Sequence, residues 1–142
     1  MSNNLYIPIT TEVESLNFVL SLISNINSIK YYYLIDSNAS NTLENYLVFS
    51  DGEKECIISI NEISQYEIEE PMYPFMVDLK DNNGKDLTLV ISYLFCNYFG
   101  YILYNDCGVL GSKDCFSPSE LLNLVQLTDY YQLIKEKLPN PN

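Results

Sequence analysis

An uncharged run of eighteen residues, Leu87–Tyr104, constrains the fold of this chain more than any other sequence feature. Its length would allow a membrane span. However, the run contains Thr88, Ser92, Asn97 and Gly100 together with four tyrosines, and polar groups at that density are costly in hydrocarbon. We therefore expect it to lie inside a folded domain, as two buried strands separated by a bend.

The rest of the chain has the composition of one folded domain. With 142 residues, of which 47% are hydrophobic, it can bury a substantial core. We assign residues 1–142 to a single domain with a flexible tail at 139–142, where prolines cannot extend a helix. Segments rich in Tyr, Ile, Val and Phe predict six strands: Lys30–Asp36, about Glu44–Ser50, Lys54–Ile60, Pro74–Lys80, Asp86–Tyr93 and Phe99–Asn105.

The fourth and fifth of these strands are predicted to form a hairpin. A three-residue loop, Asn82-Asn83-Gly84, with Gly84 in the left-handed conformation would keep the apolar residues of both strands on one face. The same register would place Lys80 opposite Asp86, which is a favourable charge pair.

Two other regions have helical patterns. The first, Glu12–Ile26, begins at a capping box and has one narrow polar strip, formed by Glu14, Asn17, Ser21, Ser24, Asn25 and Ser28. The second begins at Ser117-Pro118-Ser119-Glu120, and its apolar face shifts near Thr128, which indicates two short helices. The sequence therefore predicts an α+β fold, with a mainly antiparallel sheet of about five or six strands, an N-terminal helix and one or two C-terminal helices.

The charged residues exclude several kinds of chemistry. The chain has no His and no Arg, and its seven lysines are outnumbered by nineteen Asp and Glu residues, for a net charge of −12. Histidine triads, imidazole metal sites and guanidinium phosphate clamps are therefore excluded. Direct nucleic-acid binding is disfavoured as well. Carboxylate pairs remain, but nineteen acids bring some together by chance. We expect no enzyme activity, no metal and no cofactor.

The four cysteines are Cys56, Cys96, Cys107 and Cys115, and they lack the spacing of a redox or zinc motif. The first residues lack the basic and apolar regions of a secretory signal. We therefore expect a cytoplasmic protein with reduced thiols, and a disulfide between Cys107 and Cys115 is the alternative.

The segment Gly108–Lys113 has some features of a phosphate-binding loop. In such a loop four residues separate the glycines and a Ser or Thr follows the lysine, and this chain meets neither condition. We interpret the segment as a connecting turn.

Thirteen tyrosines are unusual for a chain of this length, and three of them are consecutive, Tyr31-Tyr32-Tyr33. In a strand these three must point alternately to opposite faces. Most of the tyrosines are expected to pack with the hydroxyl reaching water. An aromatic contact surface is the alternative, because Tyr buries a large area at low entropic cost.

Negative charge is concentrated in the middle of the chain. Between Glu44 and Asp81 there are ten acidic residues and two lysines, for a net charge of −8. Such a surface either keeps the protein soluble or binds a cationic partner, which relieves the repulsion between like charges. A focused negative potential would also speed association with a cationic protein and make it salt-dependent.

In size, charge and element order, with an acidic and tyrosine-rich central sheet, the chain resembles the immunity proteins of bacterial contact-dependent inhibition and polymorphic toxin systems. The resemblance covers the whole chain. It implies a cognate toxin domain, commonly a basic nuclease, whose active site the immunity protein covers with carboxylates in place of phosphates. We predict that the binding residues come from the acidic stretch, with two tyrosines as anchors: Glu53, Glu55, Glu62, Tyr66, Glu67, Glu69, Glu70, Tyr73 and Asp78.

Two alternatives stay open. An acidic cytosolic secretion-system chaperone would expose an apolar groove for an extended effector segment, and the wide apolar arc of the first helix favours it. A small carboxylate-based enzyme would need a deep pocket with a raised Asp or Glu pKa. For the immunity protein we expect a basic protein partner, no direct nucleic-acid or membrane contact, and a monomer.

Overall fold

The architecture is one antiparallel sheet with helices. The computed structural model describes residues 4–10, 12–36, 44–62, 74–105 and 110–135. In these ranges the elements are β1 (Asn4–Ile9), α1 (Glu12–Ile23), β2 (Lys30–Asp36), β3 (Glu44–Ser50), β4 (Glu55–Glu62), β5 (Phe75–Asn82), α2 (Asp86–Phe99), β6 (Leu103–Tyr104), β7 (Cys115–Phe116), α3 (Pro118–Val125) and α4 (Tyr131–Ile134). The strand order is β2-β3-β4-β5-β1-β6-β7. The predicted α+β class is confirmed, with seven strands in place of five or six.

The core lies on one face of the sheet. A row of register partners, Leu5, Leu79, Ile58 and Leu47, crosses four neighbouring strands and is buried throughout. All four helices join the same core cluster, which includes Val19 and Ile23 of α1, Leu94 and Phe95 of α2, Leu121 and Val125 of α3, and Ile134 of α4. The helices therefore lie on the same side of the sheet.

The strand β1 was not predicted, although its pattern is regular. Leu5, Ile7 and Ile9 are fully buried, whereas Tyr6 and Pro8 between them are half-buried. That alternation is typical of a strand with one face on the core. The strand pairs with β5 along its whole length and with β6 at Tyr6, so it lies inside the sheet.

The prediction of a strand at Asp86–Tyr93, and with it the hairpin of residues 74–93, is wrong, because this segment is the helix α2. Every residue from Leu87 to Cys96 is buried. The helix contacts β1, β4 and β5 as well as α1 and α3. A helix that is covered on all sides has no polar stripe, so its sequence lacks the helical period and cannot be told from a buried strand by pattern alone.

The ends of α2 carry the local signals that distinguish it from a strand. Asp86 lies in the first turn, where a negative charge is favoured by the helix dipole. Gly100 follows the helix with a φ of 78°, and its N–H donates to the carbonyl of Cys96 at 2.9 Å. The predicted strand at Phe99–Asn105 is reduced to the two residues of β6.

The helix α1 confirms the predicted polar strip. It ends at Ile23 and not at Ile26, and it packs against α2. Its four partly buried apolar residues pack on the core: Leu16, Phe18, Leu20 and Leu22. The predicted strip residues are all exposed: Glu14, Asn17, Ser21, Ser24, Asn25 and Ser28. Thr11, the first residue of the predicted capping box, lies outside the described residues.

The C-terminal helices also follow the prediction. The backbone N–H of Glu120 donates to Ser117 Oγ at 3.3 Å, and the N–H of Ser117 donates to Glu120 Oε1 at 3.0 Å, which completes the capping box of α3. Helix α3 ends at Val125 and α4 begins at Tyr131, on either side of Thr128. The predicted tail at 139–142 lies beyond the last described residue. In the described part of the chain, no helix combines the length and apolar character needed to cross a membrane.

The substitution Gly100→Ala tests the left-handed end of α2. We expect a loss of about 1 kcal/mol in the free energy of unfolding, because an L-residue is disfavoured at this φ. Steric clash does not contribute, since an added Cβ would meet no atom within 4 Å. Urea denaturation followed by circular dichroism measures the change, and Gly100→Asn should lose less. Unchanged stability in Gly100→Ala would contradict the assigned helix end.

Candidate functional site

The sheet has a second face, opposite the helices, which we call the outer face. It consists of the strand residues that alternate with the core residues and includes Tyr6, Tyr32, Val48, Glu55, Ile57, Ser59, Asn61, Met76, Asp78, Lys80 and Tyr104. Tyr32, Lys80 and Tyr104 are exposed, whereas Val48 and Met76 are buried. The outer face therefore combines aromatic, apolar and charged side chains.

Glu55 is held in position on the outer face by two hydrogen bonds. The hydroxyl of Tyr32 donates to Glu55 Oε2 at 3.0 Å, and the side-chain amide of Asn82 donates to Oε1 at 2.9 Å. These donors come from β2 and β5, on either side of the β3–β4 pair. The bond to the carboxylate raises the pKa of Tyr32 above its ordinary value. A carboxylate has about four acceptor positions, so Glu55 can still accept donors from a partner.

Asp78 lies in a second cross-strand row on the outer face. Its register partners are Tyr6 on β1 and Ser59 on β4, and Tyr6 is in turn paired with Tyr104 on β6. Glu55 on β4 is paired with Asn82, four residues along β5 from Asp78, so the two acidic positions lie about 14 Å apart. That separation exceeds the roughly 5–10 Å between the paired carboxyl groups of a glycosidase-type site.

The three consecutive tyrosines form an exposed aromatic edge on β2. Tyr31, Tyr32 and Tyr33 are 40%, 46% and 60% exposed. Tyr31 lies toward the helices, with its ring 6.3 Å from that of Phe49, whereas Tyr32 lies on the outer face. The prediction that neighbouring tyrosines point to opposite faces is confirmed.

The predicted binding residues are only partly brought together. Glu53 is exposed in the turn between β3 and β4, Glu55 and Asp78 share the outer face, and Glu62 ends β4 at a register position on the opposite face from Glu55. The remaining predicted residues lie outside the described part of the chain: Tyr66, Glu67, Glu69, Glu70 and Tyr73. The prediction omitted Tyr6, Tyr32 and Tyr104, which only the strand register places beside the two acids.

A hydrogen-bond network fixes the turn between β3 and β4 next to this surface. Asp51 Oδ1 accepts from the backbone N–H of Glu53 at 2.9 Å and of Lys54 at 2.6 Å. Asp51 Oδ2 accepts from the hydroxyl of Tyr130, which lies just before α4. Asn83 donates from its side-chain amide to the carbonyl of Glu53 at 2.9 Å. The turn that presents Glu53 is thereby attached to both α4 and the end of β5.

The same network shifts two pKa values. Burial acts to raise the pKa of Asp51, but the hydrogen bonds from Tyr130, Lys54 and Glu53 outweigh it and hold that pKa below its ordinary value. Burial, followed by the hydrogen bond and the negative charge of Asp51, raises the pKa of Tyr130. The network therefore favours the ionised carboxylate and the neutral phenol.

In the segment with phosphate-loop features, polar groups of the described residues 110–113 form hydrogen bonds and an ion pair within the chain. The amide of Asn105 donates to the carbonyls of Gly111 at 3.1 Å and Lys113 at 2.8 Å. Lys113 forms an ion pair with Glu120. These contacts support the interpretation as a connecting turn for the described residues 110–113.

The described cysteines are free thiols. Cys56 and Cys96 are buried and Cys115 is exposed. Burial raises the pKa of Cys56 to about 12, and it also raises that of Cys96, so both remain protonated at neutral pH. Cys107 lies outside the described residues, and Cys115, its partner in the alternative disulfide, is a free thiol. Among residues that the structure describes, no three His, Cys, Asp or Glu side chains are grouped so that they would hold a metal ion.

Comparison with known proteins provides no further assignment. No family model, no curated protein and no solved structure matches this chain. The geometry described above therefore carries the functional argument alone.

The substitution Asp51→Asn tests the turn network. The pKa of Asp51 is lower in the folded chain than in the unfolded chain, so its contribution to stability is present above the unfolded value of about 3.9 and is lost as the pH falls through the folded value. We expect the variant to lose about 1–2 kcal/mol at neutral pH and to depend less on pH in the acid range.

Urea denaturation at about pH 7 and about pH 3 measures both effects. Tyr130→Phe removes only the hydroxyl and should lose about 1 kcal/mol at neutral pH. If Asp51→Asn retained the full acid dependence of the wild type, the network would not be its source.

Proposed function

We propose that this protein is an immunity protein that binds and neutralises a cognate basic toxin domain, with the outer face of its sheet as the contact surface. The observation that carries the proposal is the carboxylate of Glu55, which Tyr32 and Asn82 hold on an aromatic surface of a strongly acidic chain. The resemblance to immunity proteins implies a nuclease as the toxin. A domain that binds nucleic acid presents Lys and Arg side chains with which such a carboxylate would pair.

The held carboxylate supports tight recognition of a cation. A flexible surface glutamate must lose side-chain freedom on binding, which costs about 1 kcal/mol. For Glu55 the chain's own hydrogen bonds have already restricted that freedom. Each oxygen of the carboxylate keeps acceptor capacity for an Arg or Lys of the partner, and Arg can bind it in a bidentate manner.

The aromatic neighbours supply contact area around this charge. Tyr32 and Tyr104 are exposed on the outer face, and Tyr6 lies half-buried beside Asp78. Tyr is enriched among the residues that contribute most to protein–protein affinity. An exposed tyrosine that also orients a carboxylate, as Tyr32 does, would contribute both area and charge to one contact.

The charge of the whole chain supports a basic partner. A net charge of −12 on 142 residues repels anions and attracts cationic surfaces at long range. This attraction would accelerate encounter, and salt would weaken it. We therefore expect the association rate with the toxin domain to be markedly lower at physiological salt than at low salt.

The alternative of a secretion-system chaperone loses its main sequence argument. The wide apolar arc of the first helix favoured a chaperone because it could bind an effector segment. In the structure Leu16, Phe18, Leu20 and Leu22 of α1 pack against the chain's own core. The enzyme alternative needs a deep pocket with a raised Asp or Glu pKa. Asp51 does not meet that requirement, because its pKa is lowered.

Growth of a host cell tests the immunity function directly. The product of the reading frame immediately upstream is expressed as its C-terminal domain, with and without this chain. We expect growth arrest by that domain alone and recovery on co-expression. Growth arrest that persists in the presence of well-expressed chain would contradict the proposal.

The substitution Glu55→Gln tests the contact surface. The substitution removes the charge of the Glu55 side chain and keeps its shape. We expect the affinity for the toxin domain to fall roughly ten- to a hundredfold, with a weaker salt dependence. Titration calorimetry at two salt concentrations measures both quantities.

Glu14→Gln is the matched control, since Glu14 is exposed on α1, on the helix side of the sheet. Its loss of one charge should change the affinity by no more than about twofold. An effect of Glu14→Gln as large as that of Glu55→Gln would place the contact away from the outer face.

A further inference from the structure

The strand β2 lies at one edge of the sheet. Of the described strands, β3 is its only neighbour, and the two pair in continuous register from Lys30 opposite Ser50 to Asp36 opposite Glu44. One side of its backbone therefore has no partner among the strands that the structure describes. An edge of this kind is a template for pairing with another strand.

The features that usually protect such an edge are confined to the two ends of β2. Native proteins protect edge strands with charged side chains, prolines or β-bulges. Here the five central residues, Tyr-Tyr-Tyr-Leu-Ile, carry no charge and no proline, and the register with β3 is unbroken. Tyr33, at the centre of the strand, is 60% exposed.

The residue order of β2 is complementary to itself. When two copies are placed antiparallel about Tyr33, Lys30 of each copy lies opposite Asp36 of the other. Tyr31 then lies opposite Ile35, and Tyr32 opposite Leu34. Opposite charges, and aromatic with aliphatic residues, are favourable cross-strand pairs. We propose that β2 pairs with β2 of a second copy of this chain, which joins the two sheets into one continuous sheet across a two-fold axis.

The pairing leaves the proposed toxin-binding surface open. A two-fold axis that relates two antiparallel neighbouring strands runs perpendicular to the sheet, so both outer faces lie on one side and the helices of both copies on the other. The dimer does not rest on the immunity function and is tested without a toxin. The proposed dimer differs from the monomer expected from the sequence, because the edge position of β2 becomes visible only in the folded sheet.

Sedimentation velocity of the full chain tests the dimer. A single seven-residue strand pair is smaller than a standard interface, so we expect a dissociation constant on the order of micromolar and a shift to twice the chain mass of 16.4 kDa at higher concentration. A monomer at all concentrations up to about 500 µM, or assembly beyond the dimer, would overturn the proposal.

Charge exchange at the ends of β2 tests the register. Lys30→Asp and Asp36→Lys should each weaken dimerisation about tenfold, because each substitution creates two like-charge contacts in one dimer. The double variant restores opposite charges at both ends and should recover the affinity of the wild type. Circular dichroism of Asp36→Lys checks that its weaker dimerisation does not reflect unfolding.

Two substitutions away from the edge serve as controls. Lys135→Asp and Asp129→Lys change the net charge by the same amounts at exposed positions near α4, and dimerisation should be unchanged. Tyr33→Lys places two like charges at the axis and should give a monomer with an unchanged circular dichroism spectrum. Equal effects at the edge and the control positions, or failure of the double variant to recover, would show that another surface dimerises.

Discussion

The helix α2 is covered on both sides, by β1, β4 and β5 on one and by α1 and α3 on the other, and every residue from Leu87 to Cys96 is buried. Each fully buried large apolar side chain contributes about 1.5–3 kcal/mol. A helix can occupy this position because its backbone satisfies its own hydrogen bonds. Ser92 fits the same rule, since its hydroxyl donates to the carbonyl of Thr88 at 2.7 Å. The core-facing side of the sheet, α1 and α3 together cover this helix.

The sequence predicted an element correctly where the interactions that form it lie within a few residues of each other. The bounds of β2 and β3 were predicted because their apolar and aromatic residues are flanked by polar segments. The start of α3 was predicted because Ser117 and Glu120 form their capping contacts within three residues. The helix α2 was not predicted, because strands and helices distant in sequence surround it. A helix buried in this way lacks the periodicity that identifies a helix. The remaining local signals were Asp86 in its first turn and Gly100 at its C-cap.

The candidate site was also only partly predictable, because its residues are distant in sequence. Composition alone directed attention to Glu55, since acids are dense in that part of the chain. Its partners, Tyr32 and Asn82, lie 23 and 27 residues away in sequence, and the sheet register brings them together. A count of charges also could not show that Glu55 and Asp78 share a face, or that Glu62 stands at a register position on the opposite one. The density of acidic residues indicated the region of the candidate site, and the strand register identified which of its residues share a face.

The position of β1 in the sheet has a consequence for synthesis of the chain. Its partners are β5, which begins at Phe75, and β6, which begins at Leu103. Because translation proceeds from the N-terminus, Leu5, Ile7 and Ile9 leave the ribosome long before either neighbour exists. β2, β3 and β4 follow one another in sequence and in the sheet, and they can associate meanwhile. Insertion of β1 between β5 and β6 is thus a late event, during which its apolar residues are open to chaperones and to aggregation.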